Sequence, residues 1–243
     1  MVNEEQVKET MTDSGTTSAA YDAATATLTV DGRLPLSSAA VAAVNAACDA
    51  AEDGRTAAHL TLRLSGAPAV SPVEGVTLSL VSKWERALRR LERLPVATIA
   101  TAEGPCGGLA LDLLLCADHR IADGAVSLVM PVRNGATWPG MTLYRLGRSH
   151  AGAAAVRRAV LFGTAIGAPE AVALQLVDVL ADDVEAVLAA TVATTASVRG
   201  SELAIRRQLL FDASTTSFEE ALGAHLAACD RALLQAAAPE AAA

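Results

Sequence analysis

The sequence predicts an α/β fold with a helical C-terminal third, and three observations carry that expectation. Apolar strand-like runs alternate with helical periodicity over the first half of the chain. One of those runs, Val96 to Ala102, is apolar on both faces, as a strand covered from two sides must be. Beyond Arg145, helical patterning dominates to Leu234. At 243 residues the chain suits one domain with terminal extensions. Its 52% hydrophobic and 19% charged residues exclude a disordered chain.

The elements follow in order. Residues 1–20 are rich in Thr, Ser and Glu and are expected to form a disordered tail. From Tyr21 the pattern is structural, with Ala26 to Val30 alternating as a strand and Asp31-Gly32 supplying a turn. Residues 37–53 open on a Ser cap, place Val41, Val44 and Cys48 on one helical face, and stop at Gly54. His59 to Leu64 reads as a strand with Leu60, Leu62 and Leu64 on one side. A Gly/Pro loop over 65–75 leads to a helix from about Val76 to Leu94, whose buried stripe is Leu80, Trp84, Leu88 and Leu91; Pro95 ends it. After the 96–102 strand, Gly104 to Gly108 reads as a turn and Leu109 to Ala117 as a helix. His119 to Ala122 and Val126 to Val129 are short strands, followed by a long loop to Arg145. The expected organisation is a core over 21–182, a helical region over 183–236 and a fraying tail over 237–243.

Charge and cysteine usage narrow the function classes. Nineteen basic against twenty-seven acidic residues give −8, which does not suit a nucleic-acid phosphate track or an anionic membrane surface. Cys48, Cys106, Cys116 and Cys229 show no CxxC and no regular framework, so they read as reduced thiols in a cytoplasmic protein. The N-terminal stretch lacks a basic and an apolar signal region, and no long uncharged apolar run reads as a membrane span. The four His lack metal-ligand spacing, and no metal site is expected.

The most informative stretch is GPCGGLALDLLLCAD, from Gly104 to Asp118. It leads from a buried strand through glycines into an apolar helix, leaving backbone amides of Gly108, Leu109 and Ala110 without intrahelical partners. Such amides suit a carbonyl oxygen gaining negative charge, and the same glycines also suit a tight packing turn. Asp112 is the one polar interruption of the helix. Desolvation there would raise its pKa and prepare it for general acid or base work. A structural role, with the carboxylate held by an Arg or a loop amide, is the other use.

These residues resemble the crotonase (enoyl-CoA hydratase/isomerase) superfamily from about Tyr21 onward. The family turn G-x-A-x-G-G-G-x-E-L, followed by C-D, is matched through Gly104, Cys106, Gly108, Leu113 and Asp118. Leu109 stands where the family has its oxyanion-hole Gly, and Asp112 where it has its first catalytic Glu. A second anchor, Val160 to Gly163 leading to Pro169-Glu170-Ala171 and Leu174 to Asp178, resembles the family's L-x-G-x-x-I-x-A-x-E-A-x-x-x-G-L-V-D signature. The resemblance implies a crotonase-like ββα superhelix with C-terminal oligomerisation helices, a homo-oligomer (trimer or hexamer), and a CoA thioester as substrate with no separate cofactor. Asp112 would be the acid/base. The oxyanion hole would be built from backbone amides of Leu109, Gly108, Gly66 and Ala67.

Three departures mark this chain. Met130-Pro131 is followed by Val132 where the family has a second catalytic Glu, so one carboxylate remains and simple hydration fits poorly. The loop that carries the family's other oxyanion amide is cut down to SGAPAVSPVEG. The 135–145 loop keeps the family's Pro-Gly and adds Trp138, Met141 and Tyr144. Val132, Trp138 and Met141 are therefore expected around the substrate, where an aromatic or polyketide acyl group would stack; subunit packing is the alternative use. Within the family, the short loop, the WERALRRLERLP helix and the WPGM loop are most similar to a subgroup of dihydroxyphenylglycine biosynthesis. That subgroup works beside a type III polyketide synthase. The similarity implies a dehydration and aromatisation that yields 3,5-dihydroxyphenylacetyl-CoA, or an accessory subunit that stimulates the synthase without chemistry of its own.

Overall fold

The computed structural model describes residues 17–55, 58–197 and 199–237. It opens on β1 (Ala19–Asp22), paired antiparallel with β2 (Thr27–Asp31), with Ala19 opposite Val30. Ala19 and Ala20, expected in the tail, join the sheet because β2 offers them an edge to pair with; residues 1–16 and 238–243 lie outside the described residues. Helix α1 (Ser38–Glu52) is capped by Ser37, whose hydroxyl accepts from the Ala40 N–H at 3.1 Å. It buries Val41, Val44, Ala47 and Cys48.

Strand β3 (His59–Gly66) runs parallel to β2, and β4 (Ala97–Gly107) runs parallel to β3. Between them, α2 (Leu78–Leu91) buries Trp84, Leu88 and Leu91. Its cap is Thr77, whose Oγ1 accepts from the Leu80 N–H at 3.2 Å, which fixes the start two residues after Val76. Strand β4 differs most from expectation. It continues through Gly104 and Pro105 to Gly107, where the sequence reads as a turn. The reason is a change of partner: Ile99 to Ala102 pair with β5 (His119–Ala122), and Pro105 to Gly107 pair with β6 (Ser127–Val129). Helix α3 (Leu109–Leu114) sits between β4 and β5 in the chain and ends three residues before Ala117.

The expected long loop before Arg145 holds a hairpin, β7 (Val132–Arg133) and β8 (Ala136–Thr137), turned by Asn134 and Gly135 at positive φ. Helix α4 (Met141–His150) already contains Arg145, and α5 (Ala154–Phe162) follows, closed by left-handed Gly163. Then come β9 (Ile166–Gly167), α6 (Ala168–Ala173), β10 (Val179–Leu180), α7 (Val184–Thr195), α8 (Ser201–Asp212) and α9 (Phe218–Ala237). The main sheet runs β1-β2-β3-β4-β5-β10, with β6 on the far end of β4 and β9 on β6.

Helices cover both faces of β4, so Ala97 to Ala102 are all buried. The main core packs Leu60, Leu62 and Leu64 of β3 against Trp84, Leu88 and Leu91 of α2 and Leu113 and Leu114 of α3. Each such leucine contributes about 1.5–3 kcal/mol by leaving water. On the opposite face, Ile99 and Ile121 pack against Val184 and Leu188 of α7. No helix among the described residues is long and apolar enough to cross a membrane.

One buried cation ties the C-terminal helices to this core. Arg207 of α8 is 6% exposed and grips both carboxylate oxygens of Asp118, at 2.8 and 2.6 Å. It also donates to the Leu94 and Val96 carbonyl oxygens. Asp118 in turn accepts from the Thr98 N–H and hydroxyl at 2.8 and 2.9 Å. Arg207→Ala should lower stability by about 3 kcal/mol, because it unpairs a carboxylate and two buried carbonyls together. Urea unfolding checks this, and a midpoint equal to wild type would refute the anchoring role.

Candidate active site

The site begins where three strand ends touch backbone to backbone. A Cβ on Gly32 would overlap the carbonyl oxygens of Gly107 and Gly66. On Gly107 it would stand 2.7 Å from the Val129 oxygen and 2.9 Å from the Ala67 Cβ; on Gly108, 2.8 Å from the Gly32 oxygen. Gly108 also takes φ of 54°, a conformation side-chain-bearing residues rarely adopt. This crossing starts α3 at Leu109, whose N–H has no partner among the described residues. The shortened loop still reaches the same place. Ala67 lies against Gly107, and its N–H likewise has no acceptor among the described residues, whereas Gly66 is paired with Cys106 at the end of β3.

Asp112 projects from α3 into an apolar pocket. Its Oδ2 accepts from the Trp84 indole N–H at 2.9 Å, and its Oδ1 accepts from the Thr142 hydroxyl. Among the described residues neither an arginine nor a loop amide bonds to it. Burial pushes its carboxyl above the ordinary range, while the Thr142 and Trp84 hydrogen bonds and the nearby Arg145 guanidinium oppose that rise.

A second carboxylate that sequence reasoning missed shares this pocket. Glu85, one residue after Trp84, lines it together with Asp112, with a side chain 21% exposed. Arg145 Nη1 lies 3.2 Å from Glu85 Oε2, but Arg145 Nε makes the shorter bond, 2.9 Å, to Glu92. Burial raises the Glu85 carboxyl, Arg145 opposes the rise, and the charges of Asp112 and Glu92 add to it. The signal was present: Glu85 lies beside Trp84 and three residues before Leu88, on the border of the buried stripe rather than on the solvated face.

The remaining walls are mostly apolar, with Leu34, Val76, Val81, Leu109, Met130 and Trp138 among them. Trp138 and Gly108 both line this pocket. Two expectations need correction. Val132 does not line the pocket: the β7–β8 hairpin turns its side chain onto the bare Cα of Gly163. Met141 starts α4 and faces a second cavity, shared with Tyr144, Arg145 and Arg148, rather than the Asp112 pocket.

No protein-family model matches the chain. A protein of Amycolatopsis orientalis named enoyl-CoA-hydratase is 52% identical over 206 residues, spanning 85% of this chain and 94% of that protein. An enoyl-CoA hydratase/isomerase of Marinobacter aquaeolei superposes with a TM-score of 0.74 at 18% identity, over 92% of each chain. An enoyl-CoA hydratase of Mycobacterium smegmatis gives 0.71 at 16% identity, over 92% of this chain and 91% of its own. At those identities the solved structures establish the fold, and the Amycolatopsis relative establishes the family.

The Asp112 environment makes a stability prediction with a definite sign. Its carboxyl pKa is higher in the folded chain than the ordinary 3.8. Its contribution is therefore full below the unfolded value and lost as pH rises through the folded one. Asn fits the same place, accepting from the Trp84 indole and donating to the Thr142 oxygen, and carries no charge. The melting temperature of Asp112→Asn relative to wild type should accordingly climb as pH rises from about 4 through the raised pKa of the folded carboxyl. A difference that stays flat across that range would show that Asp112 titrates as an ordinary carboxylate.

Proposed function

Because the chain belongs to the crotonase (enoyl-CoA hydratase/isomerase) superfamily, we propose that it processes an acyl-CoA thioester, promoting dehydration and aromatisation of a type III polyketide synthase product to 3,5-dihydroxyphenylacetyl-CoA. The observation that carries this reading is Asp112, a half-buried carboxylate in an apolar pocket bordered by the Leu109 amide, which has no partner among the described residues. With the thioester oxygen on the Leu109 N–H and the Ala67 amide assisting, negative charge can build on that oxygen when Asp112 removes the adjacent carbon-bound proton. The enolate then expels a neighbouring hydroxyl, which is protonated as it leaves as water, so that in net the proton lost from carbon ends on the departing oxygen, and aromatisation drives the sequence forward. Trp138 offers an aromatic wall to a ring being formed.

A second reading, an accessory subunit that stimulates the synthase, draws on Val132. The position that resembles the family's second Glu is apolar and turned away from the pocket. One experiment separates the two. The synthase is supplied with malonyl-CoA, with and without this protein, and products are followed by mass spectrometry. For the catalytic reading, wild type should shift products toward the dehydrated aromatic thioester, and Asp112→Asn should lose about 10²–10⁴-fold of that effect while remaining folded. For the accessory reading, Asp112→Asn should stimulate as wild type does.

The same family reading includes assembly as a homo-oligomer, trimer or hexamer. It is supported by α9, which exposes Phe218, Leu222, Leu226 and Leu233 on a helix that packs chiefly on α8. Light scattering at micromolar concentration should give a multiple of 24.8 kDa, and a monomer would count against it.

A further inference from the structure

We propose that Glu85 is the second proton carrier of the Asp112 pocket, the acid that protonates the departing hydroxyl while Asp112 takes the carbon-bound proton. The inference rests on the dehydration reading above and supplies the group that Val132 cannot. Asp112 has both oxygens engaged as acceptors, one with the Trp84 indole and one with the Thr142 hydroxyl, an arrangement suited to an anionic base. Glu85 is arranged differently. Its side chain lines the Asp112 pocket, its Oε2 accepts from Arg145, and its Oε1 has no hydrogen-bond partner among the described residues. That oxygen is placed to hold a transferable proton.

The surrounding charges agree with this division. The groups that act on Glu85 are Arg145 from α4, Glu92 from its own helix and Asp112 from α3. Arg145 is drawn toward Glu92, which it meets at 2.9 Å, so its charge is shared between two carboxylates. Two carboxyl groups that repel each other in one buried site favour a state holding a single proton. Glu85 also borders the second cavity, which reaches the surface at Tyr144, 52% exposed. It therefore stands on the wall between the acyl pocket and a route to water.

The step balances without a co-reactant. The substrate C–H proton passes to the Asp112 carboxylate, and the electron pair forms the new C=C bond. The C–O bond to the hydroxyl breaks, and that oxygen takes the Glu85 proton and leaves as water. Asp112 is left protonated and Glu85 ionised; transfer of the proton from Asp112 to Glu85, directly or through water, restores the start.

The test compares wild type, Glu85→Gln and Glu85→Asp with the synthase and malonyl-CoA as a function of pH, with melting curves on each. Wild-type product formation should fall at high pH, where Glu85 loses its proton. Glu85→Gln should remain folded, lose about 10²–10⁴-fold of the rate, and no longer show the high-pH fall. Glu85→Asp, which keeps the proton at shorter reach, should recover part of the rate and the fall. A folded Glu85→Gln with wild-type rate and pH profile would overturn the role of Glu85 while leaving the dehydration reading intact. No product shift by wild type itself would remove that reading and the Glu85 role with it. Should Glu85→Gln fail to fold, carboxyl-carbon NMR on wild type decides: a Glu85 signal that is ionised throughout the active pH range overturns the proposal.

Discussion

The close crossing of backbone at Gly32, Gly66 and Gly107–Gly108 is the constraint on which the rest of the site depends. Parallel strands β2, β3 and β4 end at one level, and their last residues meet without side chains between them. A methyl group on Gly32 has no room there, since backbone atoms of Gly107 and Gly66 already occupy its place. Only this approach lets the shortened 65–75 loop lay Ala67 beside Gly107. The same approach starts α3 at Leu109, with an unpaired amide at its first turn and Asp112 one turn further on.

Around that crossing the chain uses small and aliphatic side chains, and with three Phe, two Trp and two Tyr it has little choice. Alanines such as Ala87, Ala100, Ala102 and Ala110 are fully or almost fully buried and allow helices to sit close on the sheet. Closeness of this kind leaves few places for buried charge, and those that exist are densely bonded. Arg145 answers Glu85 and Glu92, and Glu92 also accepts from Arg89 and from the Cys116 thiol. Buried ion pairs of this sort add little net stability over apolar packing, yet losing one partner is costly, so they fix position more than they strengthen the fold.

How much of this was legible in the sequence depended on distance along the chain. Local signals were sound: Ser37 caps α1, the Leu80–Leu91 stripe faces inward, and Asp112 of the Gly104–Asp118 stretch is half-buried against Trp84. The failures are long-range. Gly104 to Gly108 reads as a turn, but β6, more than twenty residues later, pairs with Pro105 to Gly107 and keeps them in the sheet, while Gly104 takes a positive φ and donates its N–H to Asp123. Val132 follows a proline as the family pattern asks, but the Asn134-Gly135 hairpin and the bare Cα of Gly163 direct its side chain elsewhere. Glu85 was hidden for a related reason. On a helix rich in arginine it reads as one more surface charge, until α4 brings Arg145 and α3 brings Asp112 against it.

Trp84 shows how the pocket fixes the Asp112 carboxylate in place. It is 2% exposed and belongs to the core by packing, yet its indole N–H needs a partner, and Asp112 supplies one. Thr142 binds the other oxygen from α4, so two elements distant in sequence fix both oxygens of one side chain. Neither donor carries charge. Each steadies the carboxylate without neutralising it as a direct arginine would, and burial continues to press the carboxyl toward its protonated form. Opposed effects of this kind leave the carboxyl above its ordinary range, as the proposed acid/base role requires. Arg145 is kept one step away, occupied by Glu85 and Glu92, so its field reaches Asp112 without an ion pair to hold that carboxyl permanently ionised.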